Sequence, residues 1–206
     1  MELQHPLAVV TPTVDGDVLA VLARAEASFT TGQVHRVLPS VSQQGIRNSL
    51  QRLVEQGIVL ADRVGNAYAY ALNRDHIAAE HVIALAHLMD AFLARLTDEL
   101  SAWDPQPAYG AVFGSAARGS MTAGSDIDLL LVRPAGADEQ VWDEQAQILA
   151  GRATLWTGND VRMLVLDEEA LDPNETVLRD VRSHGLTVAG THDWLARRLR
   201  RTGTPA

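Results

Sequence analysis

The sequence predicts an α+β protein of two units joined by a long helix, and three observations carry that expectation. Three helix-patterned segments followed by two apolar-polar strands around Gly65-Asn66 make a first unit over residues 1–73. A helical stripe continues through the connecting residues 74–104. Beyond it, over 105–206, short apolar runs alternate with helical patterns around a Gly114-Ser115 turn and an Asp126-Ile127-Asp128 triplet.

Residues 15–27 place Val18, Leu19, Leu22 and Ala23 at helical spacing, with acidic residues at the front where the helix dipole favours them. A short second helix is expected over 31–38, capped by Thr30 or Thr31, before Pro39-Ser40 breaks the chain. A third runs from 42 to 56, burying Ile46, Leu50, Leu53 and Val54, and stops at Gly57, a residue that accepts the left-handed C-cap. Segments 58–64 and 67–72 then alternate apolar and polar residues around a tight reversal, a hairpin signal.

This order of elements, with Leu53-Val54-Glu55-Gln56-Gly57-Ile58-Val59 leading into the hairpin, resembles the winged helix-turn-helix of bacterial transcriptional regulators over about residues 10–73. The resemblance implies that the third helix enters the DNA major groove and the hairpin lies across the backbone. Gln43, Gln44, Arg47, Asn48, Gln51 and Arg52 would then face the groove, and Arg63 would serve the wing. Residues 1–80 hold six arginines against eight acids, a small electrostatic footprint for DNA, so protein contact or dimerisation through the same unit stays open.

From Asn73-Arg74-Asp75 one long helix is expected, because Ile77, Leu85, Leu88, Met89, Phe92, Leu93, Leu96 and Leu100 recur at three-to-four spacing. So wide a stripe suits packing on a sheet or on a second subunit, and a homodimer is compatible with it. Pro105 and Pro107 end the helix. His76, His81 and His87 are five and six residues apart, which is not the spacing of a helical metal pair.

If 109–113 and 127–132 are neighbouring strands, Asp126 and Asp128 point to one face. Two hard carboxylates there are a protein's share of an Mg²⁺ or Mn²⁺ site, with phosphate oxygens and water completing the shell. Gly114 lets backbone N–H groups and the Ser115 hydroxyl approach a polyphosphate, and residues 116–119 can form a brief helix facing it. Charges bordering the apolar run 129–132 carry a desolvation cost unless something positive compensates them.

The ordered run Gly114, Ser115, ten residues, Asp126, Ile127, Asp128, Leu129 resembles the nucleotidyltransferase superfamily of DNA polymerase beta. Ala117-Arg118-Gly119 and Ser125 match its minimal nucleotidyltransferase branch. The resemblance implies a small mixed sheet backed by helices and an enzyme that moves NMP from an NTP, ATP being the one expected, to a hydroxyl of a protein or nucleic acid. It assigns Asp126 and Asp128 to the cation and Gly114, Ser115, Arg118, Gly119 and Ser125 to the nucleotide; Arg118 also admits a structural ion pair.

Such enzymes generally have a third carboxylate on a later strand, which completes the second cation and draws the acceptor's proton. Asp160, at the head of the apolar run 161–166, is the candidate, with a turn aspartate as the other reading. Asp167, Glu168 and Glu169 read as the acidic first turn of the next helix. Two further functions stay open: a DNA-binding regulator whose nucleotidyltransferase module senses nucleotide or is degenerate, and an antitoxin-like protein that modifies or masks a helical toxin.

The remaining pattern is a helix over 137–155 with Val141, Ile148 and Leu149 inward, a buried strand over 161–166, a helix over 175–184 closed by Gly185, and a strand over 186–189. A basic helix over 193–201 carries Arg197, Arg198, Arg200 and Arg201. No cysteine is present, which excludes disulfides and thiolate metal sites and suits a cytoplasmic protein. All 17 basic residues are arginine, so no lysine mechanism is available. The net charge of −9 opposes broad nucleic-acid binding, and neither a membrane span nor a secretory leader is expected.

Overall fold

The computed structural model describes residues 1–202 and the side chains through 200. It is a mixed α+β structure with nine α-helices and two small sheets among the described residues. Two compact units divide the chain: one is Gln4–Leu88 with Glu2, and the other runs from Met89 onward with Met1 and Leu3.

The first unit is built in the order α1 (Val14–Ala23), β1 (Phe29–Thr30), α2 (Thr31–Val37), α3 (Gln43–Glu55), β2 (Val59–Val64), β3 (Ala67–Leu72) and α4 (Ala79–Ala86). Helix α1 ends at Ala23, short of the residue 27 expected, and Arg74 donates to the carbonyls of Ala23 and Ala25 at 3.5 and 3.4 Å. A capping box starts α2: Thr30 Oγ1 accepts from the Gln33 N–H at 3.3 Å, and Gln33 Oε1 accepts from the Thr30 N–H at 2.7 Å. Ser42 caps α3 in the same manner, through the Gly45 N–H at 3.1 Å. Strand β1, too short for any periodicity to announce, adds to the hairpin by pairing Phe29 with Tyr70, and gives the sheet order β1-β3-β2. Val18, Leu22, Val34, Ile46, Leu50, Ile58 and Leu72 form the core beneath it.

The single helix expected over 74–104 is two helices, α4 and α5 (Leu88–Ser101). Residues 73–78 form turns instead, where Asn73 Oδ1 accepts from the Asp75 N–H at 3.3 Å and His76 Nδ1 from the Ala78 N–H at 3.1 Å. Such local bonds compete with helix formation. Ile77, expected in the stripe, is 92% exposed. Helical geometry is interrupted at His87, with φ −106° and ψ 24°. Ala79, Val82, Ile83 and Ala86 pack into the first core, whereas Phe92, Leu96 and Leu100 pack into the second. The wide stripe is thus two faces serving two cores.

The second unit continues with β4 (Tyr109–Phe113), α6 (Gly114–Ala117), β5 (Ile127–Arg133), α7 (Glu139–Thr157), β6 (Val161–Asp167), α8 (Thr176–His184), β7 (Leu186–Ala189) and α9 (Trp194–Thr202). Its sheet is mixed, in the order β6-β5-β4-β7: β5 and β6 are parallel, and β4 runs antiparallel to both β5 and β7. Alternate residues of β5 feed opposite cores. Ile127, Leu129 and Leu131 meet Leu96, Leu100, Trp142 and Leu149, while Leu130 and Val132 meet Leu178, Val181, Leu195 and Leu199. A strand covered on both faces reads as the unbroken apolar run seen here.

Three expectations are corrected in this unit. Val141 and Ile148 are 51% and 63% exposed, and the buried line of α7 is Trp142, Ala146, Leu149 and Ala153. The helix is turned by Trp142, whose Nε1 donates to the Pro105 carbonyl at 3.2 Å and whose ring stands edge-on to Trp103 at 5.0 Å. Strand β6 lies at the sheet edge and is half-buried rather than enclosed. Asp167 ends β6 and pairs with the buried Arg133 at 2.7 Å, Glu168–Ala170 make a single 3-10 turn, and the next helix begins only at Thr176. In the basic helix Arg197 pairs with Asp193 at 3.1 Å and Arg198 with Glu168 at 3.7 Å, while the side chain of Arg201 lies outside the described residues. No helix of the described residues is long and apolar enough to cross a membrane.

Candidate functional site

Strand β4 ends at Phe113, and the chain turns immediately at Gly114, whose φ of +68° only glycine adopts readily. Antiparallel pairing sets Phe113 opposite Asp128. The turn therefore lies on the Asp128 carboxylate: a Cβ at residue 114 would fall closer to Oδ2 than the 3.0 Å that real Cβ atoms keep. Asp126 precedes β5 by one residue and shares the face of Asp128.

Strand β6 runs alongside with Ile127 matched to Val161, so Asp160 comes beside Asp126 and Arg162 beside Asp128. The Ile127 N–H donates to the Asp160 carbonyl at 2.8 Å and locks this register. Arg162 spans two of the acids, with Nη1 2.8 Å from Asp126 Oδ2 and Nε 3.5 Å from Asp160 Oδ2. Among the described residues no three His, Asp or Glu side chains converge into a metal cluster, and Asp160 reaches the group only across Arg162. The donor set at Asp126 and Asp128 still suits a divalent cation, which takes hard carboxylate oxygens of this kind, and a guanidinium balances their charge.

Buried Asn159 fixes the loop ahead of Asp126. Its Nδ2 donates to the Ser125 carbonyl at 2.8 Å and the Ala123 carbonyl at 3.5 Å, while its Oδ1 accepts from the Met1 amino group. Ser125 Oγ accepts from the Thr122 N–H at 2.9 Å and so caps its own loop. Ser115 lies half-buried in α6, and Gly119, at φ +66°, faces open space. Arg118 makes an ion pair with Asp180 of α8 at 2.7 Å, and His184 stands 3.1 Å from the other oxygen of Asp180. Arg162, Asn159 and Asp180 escaped the sequence reading. The one available signal was that Arg162 follows Asp160 at the same two-residue interval that separates Asp126 from Asp128.

Burial raises the Asp128 carboxyl above its ordinary value; Asp126 and Asp180 add to this, against the opposing fields of Arg162 and Arg118. Burial also pushes Asp180 up, but its hydrogen bond and ion pair with Arg118, helped by His184, outweigh that and leave it lowered. Because the folded chain holds the Asp128 proton more tightly than the unfolded chain, ionisation of this group removes stability as pH rises through the raised value. Asp128→Asn is therefore expected to raise the melting temperature of the metal-free protein at pH 7 by about 1–2 °C, with the gain shrinking at pH 4. Scanning calorimetry in EDTA checks this, and an unchanged or lower value at pH 7 contradicts it.

In the first unit Gln43, Gln44, Arg47, Asn48, Gln51 and Arg52 are all exposed on α3, opposite buried Ile46, Leu50 and Leu53. Gln44 donates to Asn48 at 2.7 Å, Arg47 to Gln44 at 3.3 Å and Gln51 to Glu55 at 3.1 Å. Arg52 is tied to Asp15, whose carboxyl is lowered chiefly by that hydrogen bond. Arg63, on β2, donates to the Gly65 carbonyl at 3.3 Å.

Among solved structures the chain is similar to a toxin-antitoxin determined with AMP-PNP, at 22% identity over 55% of this chain and 82% of that one, with a TM-score of 0.38. It is also similar to the toxin-antitoxin MntA-HpeT carrying two Asp-to-Glu substitutions, at 19% identity over 53% and 82%, with a TM-score of 0.40. No curated protein matches. Residues 94–181 match the family model of the nucleotidyltransferase domain, a stretch that contains Gly114, Asp126, Asp128 and Asp160. Over that stretch the chain is similar to nucleotidyltransferase domains, and the match supports an enzyme of that type.

Proposed function

We propose that this enzyme transfers a nucleoside monophosphate from an NTP, ATP first, to a hydroxyl of a protein or nucleic acid, using Mg²⁺ or Mn²⁺ at Asp126 and Asp128. The observation that carries the reading is the contact between the Gly114 turn and the Asp128 carboxylate, which supports taking the phosphate corner and the cation-binding acids as one site. Asp126 and Asp128 hold the cation-loaded triphosphate. The Gly114 and Ser115 amides and the Ser115 hydroxyl receive its outer oxygens. Arg118, steadied by Asp180, adds positive charge beside Asp128, and Gly119 and Ser125 shape the loops around it. Asp160, exposed at the head of β6, takes the proton of the acceptor hydroxyl, whose oxygen bonds to the α-phosphorus as the α–β phosphoanhydride bond breaks and pyrophosphate leaves. The bound cation supplies charge neutralisation to the phosphates, which in phosphoryl transfer is most of the catalysis along with positioning.

Purified protein incubated with labelled NTPs, Mg²⁺ or Mn²⁺ and cell lysate tests this. Covalent label on a macromolecule supports it and identifies base and acceptor. Nucleotide binding without transfer overturns it in favour of the sensing or degenerate module, and label on a small helical protein supports the antitoxin-like role.

For residues 1–73 we propose a winged helix-turn-helix, supported by the order α1, α2, α3 and the β2-β3 hairpin with its third strand. Its polar α3 face suits DNA, and Arg47 and Arg63 extend it where Arg52 is held by Asp15. Arg47→Ala is expected to weaken duplex binding by about 1 kcal/mol or more and to reduce the salt dependence by about one charge. Fluorescence anisotropy across a salt series measures both. Unchanged binding would assign the face to a protein contact.

A further inference from the structure

We infer that Arg162 is a resident counter-cation that competes with the divalent ion for Asp126, and so sets how much metal the site requires. The inference rests on the reading of Asp126 and Asp128 as the cation ligands. Two carboxylates two residues apart on one strand face, with Asp160 on the neighbouring strand, repel one another unless a positive charge joins them. Arg162 supplies that charge from β6, its Nη1 2.8 Å from Asp126 Oδ2 and its Nε 3.5 Å from Asp160 Oδ2. The guanidinium whose field also reaches Asp128, that of Arg118, is engaged by Asp180 at 2.7 Å.

Asp126 Oδ2 cannot serve Nη1 and a divalent ion together at full strength, so binding of one weakens the other. Arginine does not lose its charge at any working pH, and the competition is therefore permanent. The side chain is also free to leave: it is 64% exposed, on an edge strand, with a long flexible stem. An exposed pair of this kind contributes little to stability, so an arriving divalent ion displaces it at modest cost. The arrangement lets the acids remain side by side in the absence of metal while keeping the bare site from filling at trace metal concentrations.

The test uses the full chain and Mn²⁺ alone, without nucleotide. Isothermal calorimetry is expected to show Arg162→Gln binding Mn²⁺ about threefold to fivefold more tightly than the wild type, the range that loss of an exposed ion pair allows. Arg162→Lys, which keeps the charge but cannot fork across two acids, falls between them. Melting in EDTA supplies an independent readout: Arg162→Gln loses stability without metal and gains more than the wild type when Mn²⁺ is added. If Asp126→Asn abolishes Mn²⁺ binding but Arg162→Gln binds no more tightly than the wild type, the competition is refuted and the metal site stands. If the wild type and Arg162→Gln both fail to bind Mn²⁺, both readings fall.

Discussion

Asp126→Asn is expected to lower the rate of nucleotidyl transfer at least about 10³-fold while leaving the fold intact. The magnitude follows from the several kcal/mol of charge stabilisation that a correctly held divalent ion gives a phosphate transfer, at about 1.4 kcal/mol per factor of ten. An amide keeps the volume of the carboxylate but removes its charge and one strong ligand oxygen. The backbone here depends on other groups. The Asp160 carbonyl holds the Ile127 N–H, Asn159 holds the Ser125 carbonyl, and the Asp126 side chain has Arg162 as its ion-pair partner. Circular dichroism and melting temperature should therefore match the wild type within a few degrees. Transfer of labelled NMP within tenfold of the wild-type rate would remove Asp126 from the chemistry, and with it the proposed role of the pair.

The parts of this molecule that were legible beforehand are those whose signal is local. The two-residue interval of Asp126 and Asp128, the glycine at 114 and the apolar runs of β4, β5 and β7 all follow from periodicity and turn chemistry within a few residues. Arg162 and Asn159 were not legible, because their roles arise from parallel pairing of β5 with β6 across the whole of α7. Nothing near Arg162 in sequence identifies which acids it will face. Residues 74–104 failed for a related reason: three-to-four spacing records that a face is apolar but not which core receives it, so two helices with two cores read as one. In α7 the aliphatic residues at 141 and 148 looked like core, yet small alanines and Trp142 were the better fit against the sheet, and packing chose the face. Strand β1, two residues long, carries no period at all.

Gly114→Ala is the second large effect, because it strikes the turn and the acid at once. At φ +68° an alanine costs about 1–2 kcal/mol in backbone strain alone. Its methyl group would also overlap the Asp128 carboxylate, which must then retreat from the phosphate corner. Displacement of a catalytic group by roughly 1 Å is enough to cost about 10²-fold in rate. The expected result is a melting temperature lowered by several degrees together with transfer reduced about 10²-fold or more. Gly136→Ala separates the two causes, since Gly136 also has a positive φ, +80°, but its Cβ would enter open space and the residue has no part in the proposed site. That variant should suffer a similar loss of stability and retain most of its activity. Equal losses of activity in both would locate the effect in general loop strain and detach it from the contact between residue 114 and Asp128, on which the proposed union of phosphate corner and cation-binding acids depends.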